Sequence, residues 1–303
     1  MKRFLLALAL LLPFFLAYAE GLERIPDPAL RHGVALLAPK PVNGAGVKID
    51  TLRFDDNRER PLWNLCSWDF ATRLSSSNPT QTSYGITYAD EAFSLSRNDE
   101  GIFTMQVAAS KVYETPRSKG SDPWINFLIE TTFSGLDLGK VSSAIFSYSL
   151  RVLKCRNRMG KAYDTRIHAA QCLGYLHVRN TNPSSADYGK CLWLGVGMYD
   201  NRNSGGLSTQ SVTSWDIGTS TYIYQVPDTE IFGRVNFNSH RWQDARVDVR
   251  QAVGDAIRSL TGNGFLTAST VDDFTVTGMN FGWELPGTFD VKSQFRGFSL
   301  ITE

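Results

Sequence analysis

Histidine and cysteine are scarce, with four of each in 303 residues. Cys66, Cys155, Cys172 and Cys191 form no C-x-x-C pair, so the spacing of a structural zinc site is missing. Neither sign of charge dominates, because 31 Lys and Arg stand against 30 Asp and Glu. Such a chain carries no overall electrostatic footprint for nucleic acid or an anionic membrane. The local cluster Arg156, Arg158 and Lys161 reads as a solvated loop. Standard catalytic signatures are missing too: no G-x-S-x-G elbow, H-E-x-x-H pair, P-loop, or dinucleotide fingerprint opening a helix. These absences exclude the machineries that announce themselves locally. They leave open a site assembled from residues distant in sequence.

Long apolar runs are also missing, except at the N-terminus. There Lys2 and Arg3 precede an apolar run from Phe4 to Ala17, and Ala17, Tyr18 and Ala19 fit the small-x-small exit of a cleaved export signal. The run is shorter than the ~20 residues that span a bilayer. Residues 1–19 are thus read as a signal peptide, and the protein as exported, periplasmic or secreted, with no membrane span. Cleavage would remove two of the basic residues and leave a formal charge of −1. Residues 20–50 contain Pro26, Pro28, Pro39, Pro41, Gly44 and Gly46 and read as an extended N-terminal segment. Residues 51–303 read as one domain, since no linker divides them.

The domain has β texture. Ala144, Phe146, Tyr148, Leu150 and Val152 alternate along one face of Ser142–Leu153, which marks a half-buried strand. Strand character recurs in Gly101–Ala108, Trp124–Phe133, Cys172–Val178, Leu192–Tyr199, Thr221–Val226, Asp273–Asn280 and Gln294–Ile301. One segment is helical: Val249, Val253, Ile257 and Leu260 form a stripe, Asp248 can cap it, and Gly262 or Gly264 can end it. Many short strands and a single short helix predict an all-β, antiparallel β-sandwich. The strand pattern alone does not separate a jelly roll from an Ig-like fold or a closed barrel.

A resemblance narrows this. Phe281–Val291, Phe295–Leu300 and Leu192–Arg202 resemble closing and inner-sheet strands of jelly-roll domains in carbohydrate-binding modules and secreted polysaccharide-active enzymes. The resemblance implies a jelly-roll sandwich and a polysaccharide or oligosaccharide partner. It transfers no catalytic residue.

Candidate site residues follow from chemistry. Asp200 and Arg202 come straight after a strand, two apart, and point the same way. They suit a sugar hydroxyl array or a uronate, or make an ordinary salt bridge. His168 is a candidate base and Gln171 a hydroxyl ligand; His177 is a weaker candidate. Trp124 and Trp193 offer faces on which sugars stack, or pack in the core. Glu130, Asp200, Asp216 and Glu284 form a pool for a carboxylate pair of the kind glycoside hydrolysis uses. No metal ligand set is assigned and no cofactor is expected, although Ca2+ at Asp55, Asp56 and Asn57 or at Asp272 and Asp273 fits hard oxygen ligands. In an oxidising compartment the cysteines would pair, with Cys155–Cys172 and Cys66–Cys191 favoured among three connectivities.

Three functions remain: an exported glycan-binding sandwich, favoured because little helical or loop bulk is present to build a deep active site; a polysaccharide lyase or glycoside hydrolase on the same scaffold; and a structural or assembly protein of the cell envelope.

Overall fold

The computed structural model describes residues 21–42, 45–216 and 219–302, so residues 1–19, read above as a signal peptide, lie outside the described residues. Two sheets stack into a sandwich. The eight-stranded sheet comprises β1 (Leu22–Glu23), β5 (Thr80–Thr82), β6 (Gly85–Ala89), β7 (Phe93–Arg97), β8 (Phe103–Ala108), β10 (Ala144–Asn157), β16 (Gln243–Asp248) and β18 (Phe289–Thr302). Its order is β16-β10-β18-β8-β7-β6-β5, with β1 on β18. The ten-stranded sheet comprises β2 (Val34–Leu37), β3 (Lys48–Leu52), β4 (Trp63–Cys66), β9 (Ile125–Asp137), β11 (Gln171–Asn180), β12 (Cys191–Gly195), β13 (Tyr199–Asp200), β14 (Val212–Asp216), β15 (Thr221–Gln225) and β17 (Phe274–Leu285). Its order is β14-β15-β12-β11-β17-β9-β4-β2-β3, with β13 on β11. The fold is all-β and of jelly-roll type. Pairing is antiparallel except for β2 on β4 and β12 on β15, which run parallel.

Alternation builds the core. Phe103, Phe295 and Phe298 of one sheet meet Phe281 and Trp63 of the other, with Phe281 and Phe298 stacked at 4.2 Å. Buried polar groups bridge the layers in pairs, which avoids the cost of an unsatisfied donor. The Trp283 indole N–H donates to Ser293 Oγ at 2.8 Å, and Tyr148 donates to the Gly197 carbonyl at 2.9 Å.

The expected helix is present as α2 (Val249–Thr261), following the five-residue α1 (Asp228–Phe232). The Asp248 side chain accepts from the N–H groups of Arg250 and Gln251, and the apolar stripe of α2 is buried. Two expectations need correction. The segment 20–50 is not a lead-in outside the domain, because it supplies β1, β2 and β3, and β2 is wholly buried. The cysteines are all free. Strands β9, β17 and β11 separate Cys66 from Cys191. At about 4.8 Å per strand that is roughly 19 Å, against a Cα separation of at most about 7 Å for a disulfide. Cys155 and Cys172 lie on different sheets. The Cys172 thiol contacts the Met198 sulfur at 3.8 Å, and the Cys155 thiol hydrogen-bonds the Tyr199 side chain.

Candidate functional site

Register decides which side chains share the outer face of the ten-stranded sheet. On β11 the even positions Cys172, Leu176 and Val178 enter the core, so Gln171, Leu173, Tyr175 and His177 face outward. Gln171 stands opposite Glu284 on one side and Asp200 on the other. Tyr175 stands opposite Asn280 and Gly195, and His177 opposite Trp193. Beyond β12, Gln225 and Ile223 continue the face, then Val212, Ser214 and Asp216 on β14.

This face is hollow. A cavity of about 300 Å3 is lined by residues including Gln171, Tyr175, Asp200, Arg202, Ser214 and Asp228. β14 lies four strands from β17. The Asp216 charge on β14 acts on both Glu284 and Tyr175. Val212 and Ser214 of β14 line the same cavity as Gln171 and Tyr175 of β11, so the edge strand forms one wall of a cleft.

Each polar group in the cleft has a local cause. Arg202 forks Asp200, with Nε–Oδ1 at 3.0 Å and Nη2–Oδ2 at 2.5 Å, and Gln171 Nε2 donates to the same carboxylate at 2.9 Å. Gly197 has φ +64°, and a Cβ there would lie 2.1 Å from Asp228 Oδ1. The glycine thus turns the chain between β12 and β13 and makes room for Asp228. The Asp228 carboxyl is buried and accepts from the Ser208 N–H at 2.6 Å, while Oδ1 has no partner. Burial, only partly offset by the bonds to Ser208, pushes its pKa up to about 6.

Glu284 is half-buried on β17. Burial is the main cause that pushes its pKa up to about 7; the Asp216 charge adds to it, and the Trp124 indole N–H, 3.4 Å away, opposes it. Burial also raises the Tyr175 hydroxyl, with Glu284 and Asp216 contributing. A carboxyl that keeps its proton near neutral pH, beside carboxylates, is chemically equipped to donate a proton.

The sequence candidates divide accordingly. Gln171, Asp200 and Arg202 line one cavity, and Trp193 and Glu284 share the same sheet face. Trp193 stacks on His177 at 5.7 Å and tilts against Tyr175 at 5.4 Å, leaving it half-buried. Burial lowers the His177 imidazole to about 4. Trp124 stands at the cleft, 36% exposed, with the Arg117 guanidinium 5.3 Å from its ring centre. His168 is not in the cleft. It is buried; its Nδ1 accepts from the Asp164 N–H at 2.9 Å and its Nε2 lies 2.8 Å from the Arg117 carbonyl. With both nitrogens engaged it has no site to offer a proton, and it instead holds the loop that carries Arg117. Glu130 lines a separate hollow of about 260 Å3 with Asn64, Arg60 and Lys48. Four register steps along the strands separate it from Glu284, about 14 Å.

The acids considered for calcium are engaged otherwise. Asp55 faces Arg97 at 3.5 Å, Asp272 pairs with Arg250 at 2.6 Å, and Asp273 accepts from Asn182 at 2.5 Å. Among the described residues, no three His, Cys, Asp or Glu side chains converge in a way that could hold a metal ion. Asp228, Ser208 and Ser214 were missed by sequence reasoning. Only the strand-then-Pro227 boundary ahead of Asp228 could have flagged one of them.

No protein-family model matches the chain, and no curated protein matches it. Solved structures do. One is the endoglucanase Cel12A from Rhodothermus marinus, with 12% identity, a TM-score of 0.36, and coverage of 75% of this chain and 96% of that one. Another is a family 12 xyloglucanase from Bacillus licheniformis, with 12% identity, a TM-score of 0.40, and coverage of 75% and 97%. A third is the family 11 xylanase from Neocallimastix patriciarum, with 9% identity, a TM-score of 0.37, and coverage of 72% and 90%. At these identities the likeness assigns no residue and no activity, and the site rests on the geometry above.

Proposed function

We propose that this protein is exported and hydrolyses a neutral polysaccharide in the cleft of the ten-stranded sheet, with Glu284 as proton donor and Asp216 as the opposing carboxylate. The observation that carries the reading is the placement of Glu284: half-buried on the outer sheet face, touched by the Trp124 indole N–H, and within reach of the Asp216 charge. Glu284 would protonate the glycosidic oxygen as the bond to the anomeric carbon breaks. Asp216 Oδ2 accepts from the Thr219 N–H and hydroxyl, and its Oδ1 has no hydrogen-bond partner among the described residues. That oxygen would attack the anomeric carbon or activate a water, and the separation between the two carboxyls decides which.

Neutral sugar is favoured on electrostatic grounds. Arg202 is committed to Asp200, Asp228 adds further acid to the cavity lining, and the Asp216 charge acts on Glu284 and Tyr175. Such a lining repels a uronate and suits hydroxyl hydrogen bonds with stacking on Trp124.

The test is reducing-end release from neutral polysaccharides by residues 20–303. Wild type should release sugar, and Glu284→Gln should reduce the rate by about 100-fold or more. A Glu284→Gln variant as active as wild type would refute the assignment. Glycan binding without turnover draws support from Asp200, whose two oxygens are both held by Arg202. It would show as polysaccharide retention with no release by either protein.

A further inference from the structure

The outer face of the eight-stranded sheet carries an arrangement that the cleft does not use. Trp242 precedes β16 and lies on this face between two guanidinium groups, Arg151 at 4.7 Å and Arg296 at 4.4 Å from its ring centre. Further along β18, Lys292 sits 3.7 Å from the ring centre of Tyr84. Lys292, Gln294 and Arg296 alternate outward on β18, while Val291, Ser293 and Phe295 point into the core. Arg151 on β10 stands directly opposite Gln294.

The placement of Arg151 is built. Its Nε donates to Gln294 Oε1 at 2.5 Å, and Gln294, only 4% exposed, donates onward to Thr104 Oγ1 at 3.0 Å. Among the described residues, neither terminal nitrogen of Arg151 makes a hydrogen bond or an ion pair. Among the described residues, no carboxylate lies within ion-pair distance of Arg151, Lys292 or Arg296. Lys154 stands directly opposite Lys292, a like-charge pairing that costs stability in an antiparallel sheet. The acids nearby do not cancel the set. Asp290 is buried and taken up by Arg158, Ser110 and Lys154, while Asp244 accepts from Ser149, with β10 between it and Arg296.

We propose that this face binds an acidic polysaccharide, a polymer bearing uronate carboxylates, through Arg151, Lys292 and Arg296. A guanidinium stacked on an aromatic ring keeps its N–H edge free, and that edge matches a carboxylate in a two-point fork. Lys292 and Arg296 are four positions apart, about 14 Å along the strand, with Arg151 beside the midpoint. A strip of cations on a sheet surface, rather than a pocket, suits a repeating anionic polymer. The face lies on the other side of the sandwich from the cleft, so it would hold an acidic matrix while neutral chains reach Glu284.

The experiment is affinity electrophoresis of the full mature chain in gels containing polygalacturonate. Wild type should be retarded, and salt should relieve the retardation. The Arg151→Gln/Lys292→Gln/Arg296→Gln variant should bind at least tenfold more weakly at an unchanged melting temperature, and Glu284→Gln should bind like wild type. Should the triple variant fold poorly, Lys292→Gln alone decides, with an expected loss of about threefold. Retardation that survives these substitutions or ignores salt overturns the proposal. So does wild type that sediments with phosphatidylglycerol vesicles but passes polygalacturonate unretarded. Release of neutral sugars by the triple variant reads the cleft separately.

Discussion

Replacing Glu284 with Gln should make the protein more stable at alkaline pH and leave it unchanged in acid. The reasoning runs through proton linkage. Burial moves this carboxyl from 4.5 to about 7 in the folded chain. Between those values the folded state holds a proton that the unfolded state has lost, so stability falls as pH rises through this window. Below it both states are protonated and the effect vanishes. At 1.36 kcal/mol for each pH unit, the ceiling is about 3 kcal/mol, and partial solvent contact brings it nearer to 1–2 kcal/mol. Glutamine keeps an oxygen for the Trp124 indole and carries no charge to bury. Urea unfolding of both proteins from pH 4 to pH 9 should therefore give curves that coincide at pH 4 and diverge with a midpoint between 4.5 and 7. At pH 8 the variant should lead by about 1–2 kcal/mol, or by a few degrees in Tm. Subtracting one curve from the other cancels the remaining acids. Parallel curves across the whole range would refute the burial of Glu284 and, with it, its fitness as a proton donor.

Alkylation of the denatured protein without reductant should modify all four cysteines, and adding reductant should not raise the count. Asp248→Ala should cost about 1 kcal/mol in urea unfolding, because it removes the acceptor for the first turn of α2. Gly282→Ala should cost roughly 3 kcal/mol or more: φ is +146°, and the new Cβ would lie 2.2 Å from the Phe127 carbonyl oxygen beneath the cleft. His168→Ala should lower Tm through the two lost bonds yet leave the pH midpoint of any cleft activity in place, as expected of a residue that holds the Arg117 loop.

Some of this architecture is written in local pattern. β10 alternates because one face meets the core and the other meets water, and α2 shows its stripe and its Asp248 cap for the same reason. β2 escaped notice because Val34, Ala35, Leu36 and Leu37 are all buried, so nothing alternates. Asp200 and Arg202 were legible because a strand end presents them together. Glu284 was legible as a carboxyl but not as a protonated one, since that depends chiefly on burial by the assembled sheet, with the Asp216 charge, far away in sequence, adding to it. His168 was misjudged because it shares parity with Ala170 and Cys172, which are buried, so its imidazole goes to the inner side and not to the face that carries Gln171. The cysteines misled because loop length says nothing about how many strands a fold inserts between two thiols.

The most direct measurement is a crystal structure of Glu284→Gln soaked with a neutral oligosaccharide that the wild type cleaves. The account requires a sugar chain lying across β17 and β11, with a glycosidic oxygen in hydrogen-bond reach of residue 284 and Asp216 on the opposite side of the ring. Sugar bound only at the Glu130 hollow, or only on the eight-stranded sheet, would contradict it.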